Sequence, residues 1–155
     1  LFGGFMLTKD GPKVLEFNAR FGDPETQVVL PRMKADLVEV FLACDSGTLD
    51  PSMVAWENDC AVSVVLASAG YPGSYESGKC ITGVQKAASQ PGITVYHAGT
   101  KLDADGNTLT AGGRVLDVTA VEPTFAEARA NAYAACDLID FEGKQFRTDI
   151  GAKAL

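Results

Sequence analysis

The sequence predicts an α+β chain in two parts: an antiparallel hairpin with helices, then a small, mostly antiparallel β domain with one main helix. Three observations carry that prediction. Two alternating apolar stretches flank a Lys9-Asp10-Gly11-Pro12 turn near the start. Further on, several strand-like runs are separated by loops rich in Gly, Pro and Asp. In that later part only one segment, opening at Thr124, has the signals of a long helix.

Each element can be justified in order. Residues 1–7 are strand-like and residues 13–18 alternate as a half-buried strand, which places Leu15 and Phe17 towards the core. In the following loop, Asp23 is a helix N-cap candidate with Pro24 at the first helical position. Residues 25–44 keep helical spacing through Val28, Val29, Met33, Leu37, Val40 and Phe41, a stripe that reads as core, with Pro31 kinking or splitting the helix. A change of texture puts a boundary near Ala55, giving parts 1–55 and 56–155. Beyond it, residues 61–67, 93–96 and 114–120 read as strands, and residues 100–102 and 108–110 as a hairpin around an Asp-rich turn. Thr124 and Glu127 form a capping box for a helix running to about Leu138.

Charge and composition exclude several classes of function. Up to Ala55 there are five basic against eight acidic residues, and beyond it eight against twelve, for a net charge of −7. No basic patch exists to neutralise phosphates, so a nucleic-acid partner is not expected. No apolar run approaches the ~20 residues that span a bilayer, so no membrane partner is expected either. Cys44, Cys60, Cys80 and Cys136 lack zinc-knuckle spacing and fit small thiols in a reducing compartment. His97 is the single histidine, which removes sites built on two or three histidines. The chain opens at Leu1 inside an apolar run, and the expectation is a piece of a longer protein.

The most informative stretch is residues 15–25, Leu-Glu-Phe-Asn-Ala-Arg-Phe-Gly-Asp-Pro-Glu. On a strand, Glu16, Asn18 and Arg20 project from one face. A carboxylate and an amide carbonyl two residues apart are two hard oxygen ligands suited to Mg²⁺, which takes few protein ligands and keeps several waters or phosphates. An arginine beside them can hold developing phosphate or carboxylate charge through its planar fork. The competing reading is a solvated strand face, and spacing alone leaves both open.

The Glu-x-Asn-x-Arg strand resembles the metal-binding strand of ATP-grasp ligases. The longer string EFNARFGDPETQ, then LPRMKADL, is similar to the glycinamide ribonucleotide synthetase family, and so are ASAGYPGSYESG (67–78), YHAGT (96–100), GGRVLDVTA (112–120) and FRTDIGAKAL (146–155). The resemblance runs in order through nearly the whole chain. It implies the end of an ATP-grasp domain over residues 1–55, followed over 56–155 by the family's small C-terminal domain. It also implies a cytoplasmic ATP-dependent ligase that joins 5-phosphoribosylamine to glycine through a glycyl phosphate, releasing ADP and phosphate in purine synthesis. On this resemblance Glu16 and Asn18 match ligands of Mg²⁺ or Mn²⁺, and Arg20 matches the catalytic arginine on the acyl phosphate. Asp23 and Glu25 fall in the substrate loop, and His97 in a loop turned towards the substrate site. The substrates are ATP, glycine and 5-phosphoribosylamine. The nucleotide-binding lysines and lid are expected upstream, so the chain alone is expected to be inactive.

Other readings stay open at this stage. A biotin carboxylase-type ligase shares the Glu-x-Asn-x-Arg strand, but the Phe21-Gly22-Asp23-Pro24-Glu25 continuation disfavours it. A non-catalytic binding or scaffolding module is the other alternative. Asp23 can be a cap instead of a substrate contact, and His97 can be structural. Gly112-Gly113-Arg114 fits a turn before a strand as well as a phosphate contact, and Arg147 and Asp149 read as a structural pair. Gly70–Gly73 is no phosphate loop, since it lacks the lysine and following helix.

Overall fold

The structure, a computed structural model, describes residues 1–154. Its hairpin is β1 (Phe2–Thr8) and β2 (Gly11–Asn18), paired antiparallel as the alternation predicts. Gly4 sits opposite Glu16 and Phe5 opposite Val14, so Leu15 is an extra, bulged residue. The predicted inward placement of Leu15 and Phe17 is wrong: they are 64 % and 60 % exposed. Phe5, Leu7 and Val14 are exposed with them, and the Phe5 and Phe17 rings meet edge to face with centroids 6.1 Å apart. A two-stranded ribbon has no second layer of its own, and no other described element covers this one.

The helical segment over 25–44 is split around Pro31 as expected, but the break is longer than a kink. It divides into α1 (Thr26–Val29), a 3₁₀ turn at Leu30–Arg32 and α2 (Leu37–Ser46). Pro31 lies in the 3₁₀ turn, and Met33 leaves helical geometry to form a bridge with Trp56. Lys34 donates to the Ala55 carbonyl at 2.9 Å and Glu57 to the Arg32 carbonyl at 2.7 Å. This pairing claims the backbone groups that a continuous helix would have used. Asp36 then restarts the helix as its N-cap, accepting from Val38 N at 2.8 Å and Glu39 N at 3.4 Å. The stripe assigned to the core is only partly buried, and full burial in α2 falls on Val40 and Ala43.

The rest of the chain runs β3 (Cys60–Ser68), α3 (Val84–Ala88), β4 (Ile93–His97), β5 (Thr100–Leu102), β6 (Thr108–Thr110), β7 (Arg114–Glu122), α4 (Phe125–Leu138) and β8 (Lys144–Gln145). The sheet order is β4-β7-β3-β8, all antiparallel, with β5 and β6 as a separate hairpin. The short α3 and β8 carry too little periodicity to be read from sequence. β7 is the central strand, with every residue from Val115 to Ala120 buried. α4 lies on the sheet through Ala128, Ala132, Ala135 and Cys136, whose small side chains let helix and sheet approach closely. The predicted Thr124 cap forms, with Oγ1 accepting from Glu127 N at 3.2 Å, while the Glu127 carboxylate accepts from the Thr124 hydroxyl at 2.6 Å in place of the reciprocal backbone bond of a full capping box. At its other end Lys144 Nζ donates to the Ile139 carbonyl at 2.5 Å and the Cys136 carbonyl at 3.2 Å, satisfying end-of-helix acceptors. Gly83, with φ +80°, leaves no room for a side chain, because a Cβ there would strike the Leu138 carbonyl.

The close helix–sheet contact has a measurable consequence. Ala132→Leu should lower unfolding free energy by about 1–3 kcal/mol through overpacking. Ala134→Leu, on the exposed side of α4, should stay within about 0.5 kcal/mol of the parent. Denaturant melts of the two variants check this, and equal losses would contradict the packing described.

Candidate functional site

Strand β2 delivers Glu16 and Asn18 to one face, with Glu16 exposed and Asn18 half-buried. Among the described residues neither side chain is engaged in a hydrogen bond or ion pair. Glu16 borders an open cleft of about 550 Å³ together with Gly3, Gly4 and, from beyond the loop, Glu25. The Glu25 side chain folds against Gly22, where any Cβ would collide with its carboxylate. Glu16 and Glu25 thus line one cleft, with Gly4 against the Glu16 stem and Gly22 against the Glu25 carboxylate. Arg20 is exposed at the end of the strand, and its Nη1 donates to the Phe21 carbonyl at 2.7 Å.

Asp23 does not cap a helix. The residue preceding α1 is Glu25, with no side-chain cap, and the Gly22 carbonyl accepts from Thr26 N at 3.1 Å. The Asp23 carboxylate instead turns towards the sheet. Arg114 Nη2 meets its Oδ2 at 3.0 Å, and Arg114 Nη1 donates to the Asp23 carbonyl at 2.8 Å. Gln27 Nε2 donates to the other carboxylate oxygen at 3.1 Å and stands 3.5 Å from Asp117 Oδ2. The long-range guanidinium outcompetes a local cap because it answers both the charge and the carbonyl of one residue.

Two members of this network, Asp117 and Gln27, carry no role in the sequence analysis, and Arg114, weighed there within a Gly-Gly-Arg turn, meets Asp23 instead. One signal was present: Asp117 interrupts the apolar run Val115-Leu116-Asp117-Val118, where a carboxylate is costly to bury. Asp117 is 1 % exposed, and its Oδ1 and the Gln27 Oε1 have no partner among the described residues. Burial foremost, then the nearby Asp23 charge, push its carboxyl up to about 6, with Arg114 and the Gln27 amide opposing.

The remaining candidates stand apart. His97 ends β4 outside the Glu16–Glu25 cleft, with Nδ1 2.9 Å from Thr100 Oγ1. Arg147 and Asp149 form the expected pair, with Arg147 Nε donating to Oδ1 at 2.8 Å. Gly113 lies under the Tyr71 ring and Gly112 against Gly99, so packing accounts for the glycine pair. All four cysteines are free, and burial raises the Cys136 thiol to about 12, which makes it inert as a nucleophile. Among the described residues no group of three or more His, Cys, Asp or Glu could hold a metal, and no helix is long and apolar enough to cross a membrane.

Asp117 makes stability depend on pH in a definite direction. Its folded pKa is raised above the ordinary 3.8, so the native state holds the proton more tightly than the unfolded chain. Stability therefore falls as pH rises from about 4 to about 6 and stays lower above that. At about 1.4 kcal/mol per tenfold in proton affinity, the loss is up to about 3 kcal/mol. Asp117→Asn should remove that slope and be the more stable protein at pH 7, as read from melts between pH 4 and 8.

Comparison with known proteins adds to this geometry. Residues 61–153 match the family described as "Phosphoribosylglycinamide synthetase, C domain", and residues 1–26 the one described as "Phosphoribosylglycinamide synthetase, ATP-grasp (A) domain". The chain is 50 % identical over 155 residues to a phosphoribosylamine–glycine ligase of Nostoc sp., matching over 97 % of its own length and 36 % of that protein's. It is 52 % identical over 156 residues to the chicken (Gallus gallus) trifunctional purine biosynthetic protein adenosine-3, of which it spans 15 %. It thus spans about a third or less of these curated relatives. The crystal structure of phosphoribosylamine–glycine ligase from Thermotoga maritima superimposes with a TM-score of 0.78 at 38 % identity, covering 96 % of this chain and 36 % of that one. With more than half of its length matched by the C-domain family, the chain belongs to the phosphoribosylglycinamide synthetases.

Proposed function

We propose that this chain is the C-terminal part of an ATP-dependent ligase that joins 5-phosphoribosylamine and glycine into glycinamide ribonucleotide, with release of ADP and phosphate. In this reading residues 1–55 complete an ATP-grasp domain and residues 56–155 form the C domain, and the remainder of the ATP-grasp domain lies upstream. The observation that carries it is the pair Glu16 and Asn18 on β2, with Glu16 in a cleft shared with Glu25, on a ribbon whose apolar side chains are uncovered. Uncovered Phe5, Leu15 and Phe17 fit a wall made to pack against more protein. The four free thiols accord with a reducing, cytoplasmic setting.

The donor set suits Mg²⁺ or Mn²⁺: one carboxylate and one amide oxygen, both free of other partners among the described residues. A divalent ion held by Glu16 and Asn18 supplies positive charge where glycine's carboxylate and the ATP triphosphate must approach one another. Arg20, two residues beyond the end of β2, is the group assigned to hold, through its planar fork, the charge that develops as the glycyl phosphate forms. Glu25, across the cleft from Glu16, orients the amine substrate. Asp23 holds the loop that carries Glu25, and His97 offers a further substrate contact from the sheet domain. No side-chain nucleophile is needed, because the amine itself attacks the acyl phosphate.

The full-length ligase tests these roles. Glu16→Ala should remove most activity at limiting Mg²⁺, and Asn18→Ala should lose less, because a neutral oxygen contributes less to the ion. Arg20→Lys keeps the charge but loses the fork, and should lower kcat more than it raises the ATP KM. A raised ATP KM with unchanged kcat would make Arg20 a nucleotide contact instead.

The 155-residue chain by itself should show no turnover. It should bind Mg-ATP no tighter than about millimolar, ~4 kcal/mol, because half a cleft cannot bury a nucleotide. Micromolar affinity in a calorimetric titration would place a complete nucleotide site within these residues and contradict the division proposed.

A further inference from the structure

We propose that Arg114, Gln27 and Asp117 are positioning residues through which the sheet domain sets the 21–25 loop, and with it Glu25 and Arg20, for the ligase reaction. The inference rests on the proposed function for its catalytic consequence, but its structural content stands on the contacts alone.

Within the loop, Thr26 N donates to the Gly22 carbonyl at 3.1 Å, Glu25 folds against Gly22, and the Phe21 ring lies 6.3 Å from that of Phe41. The helix after it, α1, is four residues long, too short to be stable without tertiary support. To these local ties the sheet adds contacts reaching across 91 residues of sequence: Arg114 takes Asp23 at two points, 2.8 Å to the carbonyl and 3.0 Å to Oδ2. Gln27 takes the remaining carboxylate oxygen at 3.1 Å, so both oxygens of Asp23 are occupied. The amide that completes this grip is itself aimed by Asp117, 3.5 Å away and 1 % exposed in the central strand.

Asp117 is poorly explained by sheet stability. An apolar residue would suit this buried position, which shares a face with Val115 and lies opposite Val65, and one carboxylate oxygen has no partner among the described residues. What the carboxylate adds is a fixed acceptor for the Gln27 amide, and through it a fixed Asp23. A displacement of the loop by about 1 Å would move Glu25 off the Glu16 cleft, and misplacements of that size typically cost up to a hundredfold in rate.

The test uses the full-length ligase with two readouts: hydrogen–deuterium exchange of the 21–27 segment, and steady-state kinetics with ATP, glycine and 5-phosphoribosylamine. Asp117→Val should melt no lower than the parent at pH 7, yet exchange faster in the loop and lose roughly tenfold to a hundredfold in kcat, with ATP KM within about twofold. A residue that served only stability would show the opposite order. Asp117→Asn, which keeps an acceptor oxygen, should recover most of the protection. Should Asp117→Val fail to fold, Arg114→Gln carries the same expectation, and combining it with Asp23→Asn should be no worse than the poorer single variant. Unchanged loop exchange in Asp117→Val or Arg114→Gln overturns the proposal, as does faster exchange with unchanged kcat. Faster loop exchange in a parent protein that never forms glycinamide ribonucleotide would uphold the grip and remove the ligase reading instead.

Discussion

The burial of β7 is the constraint on which the structure depends. β3 pairs along nearly the whole length of β7 and β4 along Leu116–Ala120, and α4 covers β7 through a row of small residues. Val115, Leu116, Val118 and Ala120 are fully buried there, at roughly 25 cal/mol per Å² of apolar surface removed from water. Every other element of the sheet domain is placed relative to this strand. The Thr124 cap and the Lys144 bridge at the two ends of α4 satisfy groups that this packing would otherwise strand, and Gly83 lets the chain pass close to the Leu138 carbonyl.

The same strand reaches the candidate site, because Arg114 and Asp117 belong to it. A rigid central strand is a sound place from which to hold a loop, since its own position is set by the core rather than by the ligand. The Asp23–Arg114 pair is partly exposed, and as an isolated surface ion pair it would contribute little to stability. Its two-point geometry matters more than its energy. The carbonyl and carboxylate of one residue are held at once, which orients the backbone on either side of it.

The first 50 residues follow a different logic. Full burial among their apolar side chains is confined to Val40 and Ala43, while Phe5, Leu7, Leu15, Phe17, Phe41 and Leu42 face outward. A hairpin and short helices cannot bury so much apolar surface by themselves. The C-domain part buries its own core and needs no such help, as the continuous cluster from Val62 to Phe141 shows. The two parts thus differ in self-sufficiency, in keeping with a chain that spans about a third or less of its relatives.

Local patterns in the sequence were enough to determine the α+β class, both hairpins, the three long sheet strands and the capped α4, because each is decided by periodicity and capping within a few residues of itself. The Glu16–Asn18 face was legible for the same reason, since a period of two places both on one side of β2 whatever else surrounds it. Where partners lay far along the chain, only the tertiary structure could decide. Trp56 and Ala55 pair with residues 33 and 34 and widen the break that Pro31 signals into a non-helical stretch. Arg114 draws Asp23 away from a cap, and Asp117, visible only as a misplaced charge, becomes the inner anchor of the loop. Leu15 and Phe17 carry a core pattern, yet a pattern says which face is apolar and not whether anything is present to cover it. Long-range contacts depend on which surfaces the fold brings together, and that information is shared across the whole chain rather than held in any one window of it.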